Sequence, residues 1–305
     1  MKNYRSSKIT NNKNLKPGLI DLHTHSTASD GSLYPGDLVR YAKGKGAAAI
    51  ALTDHDTLEG LPEALETGEK LGLEVIPGVE ISAQYNGGTM HMLGYYLDPL
   101  DRILNQELKR LQEARKERNP KIIEKLRDLG IPIRFDQVQA LAKGQIGRPH
   151  IAQVLLQMGV VTSLDEAFQK YLTKGAAAYV EKFRFSPPKA IALILGAGGI
   201  PVLGHPKTLR CPSFRDLKNL VKDLKAAGLK GLEVFYPDQT PEQTRTYLAL
   251  AQELDLLPTG GSDFHGANKE NVDLLIGLGD LKIPYEIVEN LKAARSTTGS
   301  IAPGK

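Results

Sequence analysis

Residues 19–31 read Leu-Ile-Asp-Leu-His-Thr-His-Ser-Thr-Ala-Ser-Asp-Gly. The apolar start, Leu19–Leu22, predicts a short strand, and Asp21-Leu-His23-Thr-His25 falls at its end. Side chains two apart in a strand point to the same face, so His23 and His25 can address one metal ion. One His-x-His pair is weak evidence, because ordinary surface or core histidines share the spacing. Its weight depends on what the rest of the chain places beside it.

The same strand-then-polar pattern recurs outward from residue 31. Ala47–Leu52, Glu74–Val79 and Met90–Tyr96 read as further strands. Between them Pro35–Lys45 and Leu61–Leu71 read as helices, each with proline near its first turn and Gly46 or Gly72 just past its end. After residue 176 the alternation resumes: helix Pro188–Leu195, strand Ile200–Leu203, helix Phe214–Ala227, strand Gly231–Phe235, helix Pro241–Leu254 and strand Leu257–Gly260. Apolar strands alternating with helices predict a parallel sheet or an α/β barrel. Residues 101–175 break the rhythm with helix signals and no convincing strand. Asn119-Pro120 reads as a helix start, Pro149 opens another helix, and Ser163-Leu-Asp-Glu166 is a capping box. The chain therefore divides into a basic, disordered tail (1–18), a first barrel part (19–100), a small helical insertion (101–175) and a second barrel part (176–305).

The strand ends carry the chemistry. Thr53-Asp54-His55-Asp56 ends the second strand and Pro77-Gly78-Val79-Glu80 the third. His91 lies on the fourth, Gly204-His205-Pro206 ends the fifth and Gly261-Ser262-Asp263-Phe264-His265 the seventh. In α/β barrels the strand C-termini line one face, where the active site lies. Any one of these histidines is unremarkable alone, but six of the seven in the chain fall at such positions. Histidine and carboxylate without thiolate suit Mn²⁺, Fe²⁺ or Zn²⁺. The donors are too many for one ion, which implies two or three close together, able to share a hydroxide nucleophile and clamp an in-line displacement at phosphorus.

Composition removes other classes. Hydrophobic residues make up 41% of the 305 and charged residues 24%, enough for a real core. The single cysteine, Cys211, excludes a disulfide framework and any four-cysteine zinc site. The N-terminus has no apolar h-region and no run approaches a membrane span, so a cytoplasmic protein is expected, with no membrane and no inferable protein partner. The net charge of +4 is uneven: residues 1–18 carry +5, and residues 101–175 hold fourteen Lys/Arg against nine Asp/Glu, leaving the remainder acidic. An acidic body can offset bound cations, and a basic middle can attract an anionic substrate.

As a set, Asp21–Gly31, Thr53-Asp-His-Asp-Thr57, Gly78-Val-Glu-Ile81, Gly204-His-Pro206 and Gly261-Ser-Asp-Phe-His265 resemble, in order, the motifs of the PHP (polymerase and histidinol phosphatase) family. The resemblance implies a distorted seven-stranded TIM-like barrel, a trinuclear metal site and phosphoester hydrolysis. It implies ligand roles for His23, His25, Asp30, His55, Glu80, His91, Asp263 and His265, with Glu80 bridging. Many family members have histidine where this chain has Asp30, a change that hardens the site. His205 matches a further position, as ligand or proton donor, and Asp54 is a second candidate for proton transfer. In the insertion, Gly147-Arg148-Pro149-His150 places Arg148 and His150 around a helix N-terminus, a natural anion site, with His150 open to either a third metal ion or the phosphate. Similar segments occur in the PHP branch that acts on nucleoside 3′,5′-bisphosphates and short 5′-phosphorylated oligoribonucleotides. Lys207 is a further candidate for a phosphate contact. The expected activity is hydrolysis of phosphate esters of nucleotides, either nucleoside monophosphates or 3′,5′-bisphosphates, or of short 5′-phosphorylated RNA, with two or three divalent ions, manganese first and iron or zinc as alternatives. A small-metabolite phosphatase, such as histidinol phosphatase, and a non-catalytic PHP module are the competing readings.

Overall fold

Seven short strands pair edge to edge in chain order: β1 (Ile20–Thr24), β2 (Ala49–Leu52), β3 (Glu74–Ala83), β4 (Met90–Tyr95), β5 (Ile200–Leu203), β6 (Gly231–Phe235) and β7 (Leu257–Gly260). The computed structural model describes residues 18–142, 144–269 and 271–298. The tail expected over residues 1–18 lies outside these but for Gly18. Beyond β7 the chain returns to β1: the His25 N–H donates to the Phe264 carbonyl at 2.9 Å, and the Phe264 N–H to the His23 carbonyl at 3.3 Å. The result is a seven-stranded, barrel-like sheet.

The sheet is not wholly parallel, as the alternation had suggested. β4 runs antiparallel to both β3 and β5. The reason is the β3–β4 connection, residues 84–89, which is too short for a parallel crossover and makes a hairpin. The reversal decides where His91 lies. It sits at the start of β4, opposite Ser82, and an antiparallel strand starts where its parallel neighbours end.

Period-2 alternation sorts the strand residues into two layers. Ile50, Leu52, Val79, Ile81, Met90 and Met92 pack with the surrounding helices α1 (Pro35–Gly44), α2 (Leu61–Leu71) and their counterparts in the second half. Ile20, Leu22, Ala49, Ala51, Ile76, Leu93, Tyr95 and Val202 pack together on the inner face. Ile283, Ile287, Val288 and Leu291 join that inner cluster from the C-terminal segment. Strict alternation from Ile20 and Leu22 would turn His23 and His25 outward. A bulge prevents this: three steps along β1, Asp21 to Thr24, match two along β2, Ile50 to Leu52. The extra residue shifts the phase, so apolar residues and histidines both face inward, a use of bulges common beside active sites.

The insertion is helical throughout. Helix α3 (Arg102–Asp128) is followed by α4 (Phe135–Leu141), α5 (Arg148–Gln157) and α6 (Leu164–Ala167), which continues into a single π turn. Asn119-Pro120 does not start a helix; α3 runs through it. Proline there removes one backbone donor, while the Asn119 side chain donates to the Ile146 carbonyl at 2.8 Å and ties α3 to the segment before α5. Leu104, Leu108 and Leu111 of α3 belong to the barrel core, whereas Ile122, Ile123 and Leu126 belong to a separate core with Ile151, Val154 and Leu155 of α5. No helix among the described residues is long and apolar enough to cross a membrane.

Three buried Asp–Ser clamps brace the strand ends. The two oxygens of Asp21 accept from the Ser262 N–H and hydroxyl at 2.8 and 2.6 Å. Asp54 takes the Ser26 N–H and hydroxyl at 2.7 and 2.6 Å, and Asp56 takes those of Ser82 at 2.7 and 2.9 Å. The clamps link β7 to β1, β1 to β2 and β2 to β3. Asp56 also joins the insertion to the barrel. It accepts two hydrogen bonds from Arg115, at 3.0 and 2.6 Å, and one from Lys182 at 3.2 Å.

Burial alone would raise the Asp56 pKa, but Lys182 and Arg115 hold it far below the usual carboxylate range. A depressed pKa means that this stabilisation is in place above the unfolded value of about 3.9 and is lost as pH falls below it. Asp56→Ala strands two buried cations and should cost about 3–5 kcal/mol of stability. Urea unfolding of the variant at neutral pH measures this; a loss under about 1 kcal/mol would show that the cations find other partners.

Candidate metal centre

Glu80, delivered inward by β3, is 1% exposed. Its Oε2 lies 3.2 Å from His23 Nε2, 3.2 Å from His25 Nε2 and 3.0 Å from His55 Nδ1. Its Oε1 lies 2.6 Å from His91 Nδ1 and 2.9 Å from His205 Nε2. The first group is close but not hydrogen-bonded: Glu80 Oε2, His23 Nε2, His25 Nε2 and His55 Nδ1 are buried with no hydrogen-bond partner among the described residues. A buried polar atom left unpaired costs about 1–3 kcal/mol. Four such atoms aimed at one region fit a ligand shell, whose common partner is a cation.

Two more carboxylates extend the shell. Asp263 Oδ1 lies 3.1 Å from His25 Nε2 and 3.4 Å from His23 Nε2, and Asp30 Oδ1 lies 3.3 Å from His265 Nε2. The donors form three overlapping groups: His25, Asp30, His55 and His265; His23, His25, Glu80 and Asp263; and His55, Glu80 and His91. All eight residues expected as ligands lie in these groups. Without thiolates, the donor set suits a borderline or harder divalent ion.

The electrostatics ask for positive charge. Burial would lower the His25 pKa, but Asp263 and Glu80 override it and lift the ring to about 10. His23 is likewise buried, yet Glu233, Glu80 and Asp263 hold it well above its ordinary value. Burial would raise the acids, but Glu80 is kept well below the usual range by His55, His91 and His23, and Asp30 by His55 and His265. Burial pushes His91 the other way, down to about 4. In the protein alone, protons on imidazoles balance the carboxylates; bound cations would do so instead.

Other predicted residues have different surroundings. Asp54 is in none of the ligand groups. Its carboxylate holds the loop after β1, accepting from Ser26 and, at 2.6 Å, from the Ser29 hydroxyl. Its oxygens are taken up by the segment that leads to Asp30. His205 does face the centre, with Nε2 against Glu80 and Nδ1 2.8 Å from the Thr208 hydroxyl. His150 accepts the Gly147 N–H on Nδ1 at 3.0 Å, which leaves the proton of a neutral ring on Nε2. Burial lowers its pKa. Nε2 is then a donor rather than a lone pair. Arg148 donates to the Leu172 carbonyl at 2.8 Å. Lys207 is half-buried and pairs with Asp238 at 2.9 Å, so it is drawn to a surface acid and not to the centre.

Several site residues escaped sequence reading. Glu233, wholly buried, lies 2.9 Å from His23 Nδ1. A lone acid inside the apolar strand Gly231-Leu-Glu-Val-Phe235 was the available signal. Tyr236 and Lys269 both donate to Asp263 Oδ2, at 2.8 and 2.7 Å, and leave Oδ1 toward the histidines. Arg115, Arg118, Lys182 and Arg184 gather with Arg148 on the insertion side; their mutual effects on one another's protonation record the proximity. Their wide separation in sequence gave no signal.

A family model described as PHP domain matches residues 21–119. The chain is 38% identical over 264 residues to a 5′-3′ exoribonuclease of Haemophilus influenzae, covering 84% of this chain and 96% of that protein. It is 34% identical over 258 residues to a 3′,5′-nucleoside bisphosphate phosphatase of Chromobacterium violaceum, covering 84% and 90%. Among solved structures, an amidohydrolase from Chromobacterium violaceum with bound sulfate superposes with a TM-score of 0.81 at 33% identity, covering 90% of this chain and 96% of that one. A Bifidobacterium adolescentis protein described as a metal-dependent phosphoesterase gives 0.80 at 33% identity, with the same coverage.

Cation uptake must displace the imidazole protons. Because the metal-free His25 pKa is raised to about 10, that ring carries its proton at neutral pH and gives it up on binding. Titrating Mn²⁺ into the protein at pH 7 in buffers of different ionisation enthalpy should therefore show proton release, and affinity should rise with pH. Heats independent of buffer would contradict the assignment. Glu80→Ala should bind fewer ions per chain by elemental analysis.

Proposed function

The chain belongs to the PHP family of metal-dependent phosphoester hydrolases, and from that premise we propose that its substrates are nucleotides carrying a second phosphate, or short 5′-phosphorylated oligoribonucleotides. The observation that carries the reading is a surplus of buried positive charge beside the metal centre. Arg118 is 3% exposed, and its guanidinium bonds the Asn119 side chain but no carboxylate among the described residues. Burial and the neighbouring Arg115, Arg148 and Arg184 push its pKa down to about 8. Arg148, bonded to a carbonyl, is lowered to about 10 for the same reasons. Five basic side chains thus gather around two acids: Asp56 is shared by Arg115 and Lys182, Glu181 pairs with Arg184, and neither acid forms an ion pair with Arg118 or Arg148, a surplus that an anionic ligand would neutralise. A phosphate group, with acceptor oxygens and more than one charge, matches paired guanidiniums.

Ions held by His23, His25, Asp30, His55, Glu80, His91, Asp263 and His265 would supply Lewis-acid charge and an acidified water, and manganese suits this donor set best, ahead of iron or zinc. Beside them, Arg148 and Arg118 bind and orient the substrate's further phosphate, away from the phosphorus that reacts. His150 offers its Nε2 proton to a phosphate oxygen. His205, 4% exposed and held between Glu80 and Thr208, is the candidate donor to the leaving oxygen.

Assay of AMP, a 3′,5′-bisphosphonucleoside, histidinol phosphate and a 5′-phosphorylated RNA with Mn²⁺ separates the substrate classes. The doubly phosphorylated or oligomeric substrates should be preferred, and a chelator should abolish turnover. Arg118→Met should lower kcat/KM for them about 10- to 100-fold, the worth of a charge-assisted hydrogen bond. Turnover of p-nitrophenyl phosphate and bound metal per chain should stay near wild type. Equal losses on every substrate would show that Arg118 is only structural.

A further inference from the structure

We propose that Glu233 is a positioning residue that decides which nitrogen of His23 carries the proton, and thereby makes Nε2 of that ring available to a metal ion. The inference rests on the metal-centre reading and goes beyond its ligand set. β6 places Glu233 on the inner face, between Leu232 and Val234 of the helix-facing layer. Its two oxygens have different partners. Oε2 lies 2.6 Å from the His205 backbone nitrogen and Oε1 lies 2.9 Å from His23 Nδ1. A backbone N–H only donates and an ionised carboxylate only accepts. The proton between Glu233 and His23 therefore sits on Nδ1, and in the metal-binding ring Nε2 keeps its lone pair. That nitrogen is one of the four atoms of the centre named above as buried without a hydrogen-bond partner, and it faces Glu80 and Asp263.

The same carboxylate holds His205 in place. His205 has φ +24° and ψ 71°, outside the conformations ordinary side chains prefer. Such a backbone persists where surrounding contacts over-determine it, and the 2.6 Å bond from its N–H to Glu233 is one of them. Glu233 thus ties a metal ligand on β1 to the proton-donor candidate beyond β5, which explains a fully buried acid in an otherwise apolar strand.

An amide replacement makes this testable without changing shape. In Glu233→Gln the His205 N–H requires the amide oxygen, since the amide nitrogen would set donor against donor. The amide NH2 then faces His23 Nδ1, which must accept, and the ring proton moves to Nε2, into the ligand shell. Glu233→Gln should take up about one ion fewer per chain by elemental analysis after Mn²⁺ equilibration, or bind that ion about 10- to 100-fold more weakly. Circular dichroism should be unchanged. Independently of any variant, two-bond ¹H–¹⁵N spectra of Zn²⁺-loaded wild type should show His23 protonated at Nδ1. Full ion uptake at wild-type affinity by Glu233→Gln overturns this inference alone, as does a His23 ring protonated at Nε2 in the loaded protein. Failure of wild type to bind any ion overturns the metal centre and this inference together.

Discussion

One carboxylate organises the molecule. Glu80 sits in the interior with imidazole nitrogens from several strand ends within hydrogen-bonding range of its two oxygens. Burying that much polar surface gains nothing for a fold by itself, because apolar side chains of similar volume would pack there at lower cost. The arrangement is stable only if charge is balanced within the cluster, by protons in the protein alone and by divalent ions in the working enzyme. The features around it, from the bulge in β1 to the reversed β4, bring donors of the right kind to that carboxylate.

Holding so many polar groups in fixed directions needs a rigid frame. The Asp–Ser clamps supply it without apolar packing. Each uses both carboxylate oxygens on the backbone and side chain of one serine, so each fixes direction as well as distance. They lie between β7, β1, β2 and β3, the stretch of the rim that presents His23, His25, His55 and Asp263. On the other side, where β5 and β6 meet, Glu233 does the corresponding task. Two of the clamping acids, Asp54 and Asp56, flank His55, so the short motif Thr53-Asp-His-Asp-Thr57 combines one inward-facing imidazole with two braces.

Much of this was legible in the sequence. All seven strands were expected close to where they lie, because largely apolar runs of four to seven residues bounded by glycine, proline and polar clusters leave little choice. The ligand-type residues were legible for the same reason: they stand where those runs stop. What was not legible depended on pairing. Nothing in Met90–Tyr96 reveals its direction; the six-residue link before it was the one clue. Asn119-Pro120 misled because a helix-start signal says nothing about whether a helix is already running. The bracing by Asp54 was not legible either, because an acid beside a strand-end histidine suits proton transfer and bracing equally, and only the fold brings Ser26 and Ser29 to it. The cluster around Arg118 draws on residues from 115 to 184 and exists only after the insertion folds back on the barrel.

Helix α3 has a mechanical consequence. Its first half is anchored in the barrel core and its second half in the insertion core, with no break between them. A segment built on one continuous rod cannot swing about its entry point without pulling leucines out of the barrel, so on this side the insertion behaves as a bracket and not as a flap. The spacing between the guanidiniums of the insertion and the carboxylates around Glu80 then follows the course of that one helix, as the arm of a bracket sets the reach between its two fixings.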